Sequence, residues 1–203
     1  MNTPRQFAAG WLLLLLGACS HLQHAPDTAS PALAASRPVT AGAYASSLRA
    51  LRSDTTSLPY AVLARFLPAH VAGFVREGKP QGESVQLGGI SYSTCEQHYR
   101  KGHRRLKVQL VDYNGAVALY AGATALMNEQ IWQESEEQLM RGCNLGMAGV
   151  CGYETVQKLE RRAAVALGVG GRFFVSVEST EQHDTRLVKA VARTLNLKGL
   201  AAL

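Results

Sequence analysis

The side chains best suited to chemistry here are the thiols, because a thiolate is both a nucleophile and a soft metal ligand. There are four: Cys19, Cys95, Cys143 and Cys151. Cys19 ends the run Leu16-Gly17-Ala18-Cys19. That run follows the apolar stretch Trp11-Leu12-Leu13-Leu14-Leu15 and a first segment whose one charged side chain is Arg5. A charged start, a short apolar stretch and small residues before a cut site form a processing signal. The stretch is too short for a permanent membrane span, which needs roughly twenty residues. The other three thiols are an odd set. Cys143 and Cys151 flank the loop Asn144-Leu145-Gly146-Met147-Ala148-Gly149-Val150. A disulfide closing that loop would contribute about 2–3 kcal/mol if unstrained. Cys95 is the rival partner for either thiol, and otherwise a buried free cysteine. Cys95 and His98 lie three apart, and in an extended strand such positions point to opposite faces, so no metal site is read there.

Cations form the second group. Arg100, Lys101, Arg104, Arg105 and Lys107 cluster with His98 and His103, and Lys158, Arg161 and Arg162 form a smaller cluster. Both clusters sit at expected hairpin turns. If the two halves of the chain are related by a pseudo-twofold, the turns meet in a positive patch. Such a patch binds anions or an acidic partner by charge-assisted hydrogen bonds. The competing view is that charged hairpin tips keep sheet edges from pairing with other chains. Catalytic patterns are poorer. Serines are present, but none lies in a G-x-S-x-G context. Asp112 and Glu178 end equivalent expected strands, the one formal carboxylate pair for glycoside chemistry. Gly168-Val169-Gly170-Gly171 lies inside an expected strand and no Lys-Ser/Thr follows, which fails the phosphate-loop context. The chain is therefore read as a non-enzyme without cofactor or metal.

The segment ending at Cys19 resembles the lipobox of bacterial lipoprotein precursors. The resemblance implies a diacylglyceryl group on the Cys19 thiol, cleavage between Ala18 and Cys19, and acylation of the new amine by a fatty acid such as palmitate. Ser20, in place of an aspartate, implies export to the outer membrane where the host has one. Two or three acyl chains, each buried methylene contributing roughly 0.8 kcal/mol, make a stable anchor.

Composition agrees with one domain on a tether. Residues 1–18 are read as signal peptide, 19–43 as the lipidated cysteine with a flexible Ala/Ser/Pro/Thr-rich tether, and 44–203 as one globular domain. The formal charge of +6 falls to +5 when residues 1–18, with Arg5 and no acid, are removed. An envelope protein of that charge meets anionic lipid, lipopolysaccharide phosphate or an acidic protein face, and not nucleic acid.

The periodicity predicts helix over residues 44–74, with Ser57-Leu58-Pro59 at an internal helix start. It predicts a long strand over 84–99 bent at Gly88-Gly89, and an alternating return strand over 104–113. Helices follow over 116–127 and 129–141, the second exposing Glu134, Glu136 and Glu137. Strands resume over 152–159 and 163–178, with a bulge at Gly170-Gly171, and a last helix covers 181–197. The expected fold is α+β: an antiparallel sheet from two strand-strand-helix units, helices packed on one face, and an extra N-terminal helix. That element order is similar to the Mog1/PsbP-like family of small envelope and luminal domains. The function expected is a lipid-anchored envelope binding or accessory protein at the outer membrane, facing the periplasm and docking a protein partner, inhibitor or immunity-type included. The alternative is a periplasmic carrier of an anionic lipid.

Overall fold

The computed structural model describes residues 55–71 and 73–203. The signal, Cys19, the tether and the first part of the expected N-terminal helix lie outside the described residues. The chain folds into α1 (Tyr60–Leu63), a 3-10 turn (Ala64–Phe66), β1 (Val75–Leu87), β2 (Ile90–Lys101), β3 (Arg104–Gly115), α2 (Val117–Ala123), β4 (Trp132–Glu134), β5 (Gln138–Cys143), β6 (Val150–Gln157), β7 (Arg162–Val169), β8 (Phe173–Ser179), α3 (Arg186–Thr194) and α4 (Leu197–Ala201). The eight strands form one sheet in the order β1-β2-β3-β8-β7-β6-β5-β4. Every neighbouring pair is antiparallel. Two meanders thus meet at the β3–β8 seam, where Leu106 to Asp112 run opposite Ser179 to Phe173.

This corrects the α+β expectation. Strand makes up 48% of the structure and helix 19%, so the architecture is β-dominated. Three misreadings account for the difference. Gly88-Gly89 is not a bend in one strand but a two-residue turn, with φ of +57° and +81°, that separates β1 from β2. Positive φ at both central positions suits a hairpin turn, and glycine adopts it without steric cost. Gly170 and Gly171, also at positive φ, form with Arg172 the three-residue turn that divides β7 from β8. The segment read as a helix over 129–141 is the β4–β5 hairpin. Ser135 accepts from the Glu137 and Gln138 amides and closes the turn, so its acid cluster lies at a hairpin tip. Finally, β1 runs straight through Gly78-Lys79-Pro80-Gln81-Gly82, a stretch whose glycines and proline favour a turn. Its register slips between Glu77 and Gln81, which absorbs Pro80 on an edge strand, where a missing N–H is tolerated. Buried Gln97 stitches that slip by donating to the Glu77 carbonyl at 2.9 Å.

The sheet has one deeply covered face. Cys95, Tyr99, Leu106, Val108, Leu110, Val165, Leu167, Val175 and Val177 point into it and are at most 1% exposed. They pack with Leu63 of α1, Val188 of α3, and Leu197 and Leu200 of α4. The opposite face carries Thr94, Glu96, Lys107, Gln109, Ser176, Glu178, Thr155 and Tyr153, all half-buried. Helix α2 packs on that second face: Tyr120 meets Tyr113 edge-on at 6.2 Å, and Tyr120, Thr124 and Met127 stand over Gly168. The helices therefore occupy both faces, not one. Among the described residues no helix is long and apolar enough to cross a membrane.

One buried ion pair ties the two meanders together at one end of the β3–β8 seam. Arg172, in the turn before β8, grips Asp112 of β3 by two hydrogen bonds of 2.7 Å, and the two side chains are 5% and 0% exposed. Removing one partner of such a pair strands the other charge in a dry site. Arg172→Met is expected to cost about 3–5 kcal/mol, read as a lower urea midpoint at unchanged slope. A loss within about 0.5 kcal/mol, the range of a surface substitution, would show that the pair does not organise the seam.

Candidate functional site

The geometry that gathers chemistry-bearing side chains follows from the strand order. β8 lies between β3 and β7 and runs antiparallel to both. β3 and β7 are therefore parallel to each other, and the turns that precede them close at the same end of the sheet. The two basic hairpins meet for that reason and not through a twofold, because the two parts of the chain have three strands and five. The turn after β8 ties both tips. The Thr180 amide donates to the Arg105 carbonyl at 3.0 Å and the Gln182 amide to the Arg161 carbonyl at 2.7 Å. The Thr180 hydroxyl accepts from the Arg105 amide at 2.9 Å.

Lys101, His103, Arg104, Arg161 and Glu181 line an open depression of about 420 Å³ at this pole. The eight cations of the two clusters divide into two sets, and Lys158 belongs with the paired ones, 2.7 Å from Glu134. Arg100 pairs with Glu77 at 2.7 Å, Arg161 with Glu181 at 3.1 Å, and Arg162 with Glu160 at 3.3 Å and Glu178 at 3.7 Å. Lys101, Arg104, Arg105 and Lys107 have no carboxylate within 4.0 Å among the described residues. Lys101, Arg104 and Arg105 are exposed and Lys107 is half-buried. These four are the cations free to take an external anion.

A second cleft was not foreseen. Leu139 and Val156 floor a space of about 100 Å³ between β5, β6 and the turn before α3, rimmed by Arg141, Lys158, His183 and Asp184. Glu154 projects from β6 into the covered face and is 3% exposed. Arg141 Nε lies 2.5 Å from one of its oxygens and Lys189 Nζ 2.7 Å from the other. Burial pushes this carboxyl up, and hydrogen bonds from Lys189, Arg141 and Thr185 outweigh that and hold it below the usual range. The acid is thus committed to cations and works as a fixture joining α3 to β5 and β6. The sequence did contain a signal for it: Val150, Gly152, Glu154 and Val156 share the inward phase of one strand, and an acid in that phase must find partners.

The remaining candidates separate. Asp112 is spent on Arg172 in the covered face, whereas Glu178 lies an odd number of residues beyond Phe173, the register partner of Asp112, and points to the other face. The two carboxylates do not converge. Cys95 is fully buried in the covered face and His98 is exposed on the other, 3.0 Å from Glu96. Among the described residues no group of three or more His, Cys, Asp or Glu is placed to hold a metal. Cys95, Cys143 and Cys151 are free thiols, which corrects the expected bridge. Cys143 stands opposite Gly152, so Cys151, one residue earlier, faces the other side of the sheet. A disulfide needs converging Cβ atoms. Burial pushes all three thiols up.

Comparison with known proteins finds no matching family model, no matching curated protein and no matching solved structure. The functional reading therefore rests on geometry and on residue chemistry.

Two measurements follow. Glu154 is expected to stabilise the fold fully above its unfolded pKa, about 4.3, and to lose that contribution as the pH falls through its lower folded value. Glu154→Gln should cost about 1–3 kcal/mol at neutral pH and flatten acid unfolding below that range; an unchanged acid limb would exclude the linkage. In the native protein an aromatic disulfide reagent should titrate half-buried Cys151 first, with Cys95 and Cys143 reacting only on unfolding. A mass two hydrogens short under non-reducing conditions would instead establish a bridge.

Proposed function

We propose that this is a lipid-anchored envelope protein, tethered through Cys19, that docks a protein partner bearing an acidic face at its basic pole. The observation that carries the reading is the set of four uncommitted cations on the β2–β3 hairpin, two of which, Lys101 and Arg104, line a depression completed by Arg161 of the β6–β7 turn. Convergent uncompensated charge raises encounter rates and selects acidic partners. The pairs Arg161–Glu181 and Arg162–Glu160 fix the rim of the depression and leave the binding to Lys101, Arg104, Arg105 and Lys107. The carrier reading has less support. A lipid site needs roughly 300 Å³ or more of largely apolar cavity. The space between sheet and helices is instead filled by Leu63, Val108, Val165, Val175, Val188 and Leu197, each at most 1% exposed.

The test uses the full protein in its own envelope. Labelled palmitate should enter the wild type and not Cys19→Ser, and that variant should leave the membrane fraction. Crosslinking should then trap one acidic partner with the wild type. The variant Lys101→Glu, Arg104→Glu, Arg105→Glu, Lys107→Glu should lose it, while Arg161→Ala, whose charge is already paired, retains most of it. Lipid co-purifying with no protein partner would favour the carrier.

A further inference from the structure

The pole opposite the basic hairpins has the reverse character. The turns at that end come from four stretches of chain: residues 84–95, 113–128, 142–153 and 163–171. None of the four contains an aspartate, glutamate, lysine or arginine; the charges beside them are Arg172, buried against Asp112, and Glu129, which accepts from the Asn144 side-chain amide at 2.6 Å. They are neighbours in space. The Gly170 amide donates to the Gly149 carbonyl at 2.9 Å, and Met127 and Tyr120 stand over Gly168. Five large apolar side chains are exposed there: Leu87 and Ile90 flanking the Gly88-Gly89 turn, and Val117, Leu119 and Leu126 on and after α2. Leu87 is 76% exposed, as is Leu159 at the other pole.

The chain from the N-terminus enters the fold at this same pole. Thr55 and Thr56 line one depression with Gln86, Leu87, Gly88, Gly89, Ile90 and Ser91. The Asn114 amide nitrogen donates to the Thr56 carbonyl at 2.9 Å, and Ser57 bonds Ser91 at 2.8 Å. The described chain therefore begins, at Thr55, beside Leu87 and Ile90.

We infer that this charge-poor pole is a membrane-contact surface: the domain rests on the bilayer through Leu87, Ile90, Leu119 and Leu126, with the basic pole turned away. The inference rests on the lipid-anchor reading above. Exposed apolar side chains without charge partition into the headgroup and acyl boundary, where a charged turn would not. The anchor supplies stable attachment, and the pole sets orientation.

The test is depth-dependent fluorescence on the mature lipidated protein in vesicles of phosphatidylethanolamine and phosphatidylglycerol. Removal of the signal takes Trp11 away and leaves Trp132 as the one native tryptophan, so Trp132→Phe is a silent background. Leu87→Trp, Leu119→Trp and Leu159→Trp each add a single reporter at a position already exposed in the fold. The first two are expected to shift to shorter wavelength and lose about half their emission to lipids brominated on the acyl chain, as buried interfacial residues do. Leu159→Trp, in the β6–β7 turn, should keep its emission. Stronger quenching at Leu159→Trp would put the basic pole on the lipid and overturn the inference. A blue shift without quenching at Leu87→Trp would mean that a second copy or another protein covers the pole, and would overturn it too. A protein that carries lipid on Cys19 by mass spectrometry and floats with the vesicles, yet shows no quenching, defeats this inference alone. A protein without lipid that fails to float defeats it together with the anchor reading.

Discussion

The structure depends on one buried electrostatic contact, the double hydrogen bond between Arg172 and Asp112. An ion pair in a dry site is tolerated only where the remaining donors and acceptors are also used, and here they are. The Asp112 carboxylate accepts from the Leu58 amide at 2.8 Å and the Asn114 amide at 3.0 Å. Arg172 donates onward to the Leu203 carbonyl at 3.2 Å and lies 4.8 Å from the Phe173 ring centroid. One carboxylate thus joins the incoming chain, the β3–β8 seam and the last turn of the protein. Replacing it with a hydrophobic pair would fill the volume but would not set where residues 55–58 cross the sheet.

That crossing decides the polarity of the molecule. Ser57, Ser91, Ser93 and the Asp112 carboxylate fix the entry segment with short hydrogen bonds, including Ser93 to the Leu58 carbonyl at 2.5 Å. The entry segment is thereby held at the uncharged end of every long strand. The cations are placed at the other end by topology alone, since the turns before β3 and β7 must close together once both strands flank β8. Neither the apolar nor the basic pole needs a dedicated element. Each is what a long antiparallel sheet produces when its turns at one end are uncharged and those at the other are basic.

Strand β3 was legible in the sequence, because Leu106, Val108 and Leu110 alternate with Lys107 and Gln109 and the pattern has no rival reading. The basic turns were legible for the same reason, as punctuation between two alternating runs. The β4–β5 hairpin was not. Ile131, Trp132, Ser135 and Leu139 fall at helical spacing by accident of two short strands and a tight turn, and three-residue β4 is too short to display period two. The glycine pairs were seen, but a pair of glycines inside a β pattern marks a bulge or a turn equally well. Only the register, with Leu87 opposite Ile90, decides for the turn. The cysteine pairing failed on phase: sequence separation suggested a closed loop, whereas strand register put the two side chains on opposite faces.

The two poles are separated by the length of the central strands. Twelve residues at about 3.3 Å each span roughly 40 Å, whereas electrostatic attraction between exposed charges decays over about 8 Å at physiological ionic strength. A domain resting on its uncharged end therefore holds Lys101, Arg104, Arg105 and Lys107 several screening lengths above the lipid headgroups. At that height anionic lipid does not compete for them, although it is by far the most abundant anion in the membrane. The same cations placed at the entry end would be neutralised by the bilayer and lost to any partner. On the proposed docking reading, separation along the strand axis is what would let a modest excess of positive charge act selectively on a protein arriving from the far side.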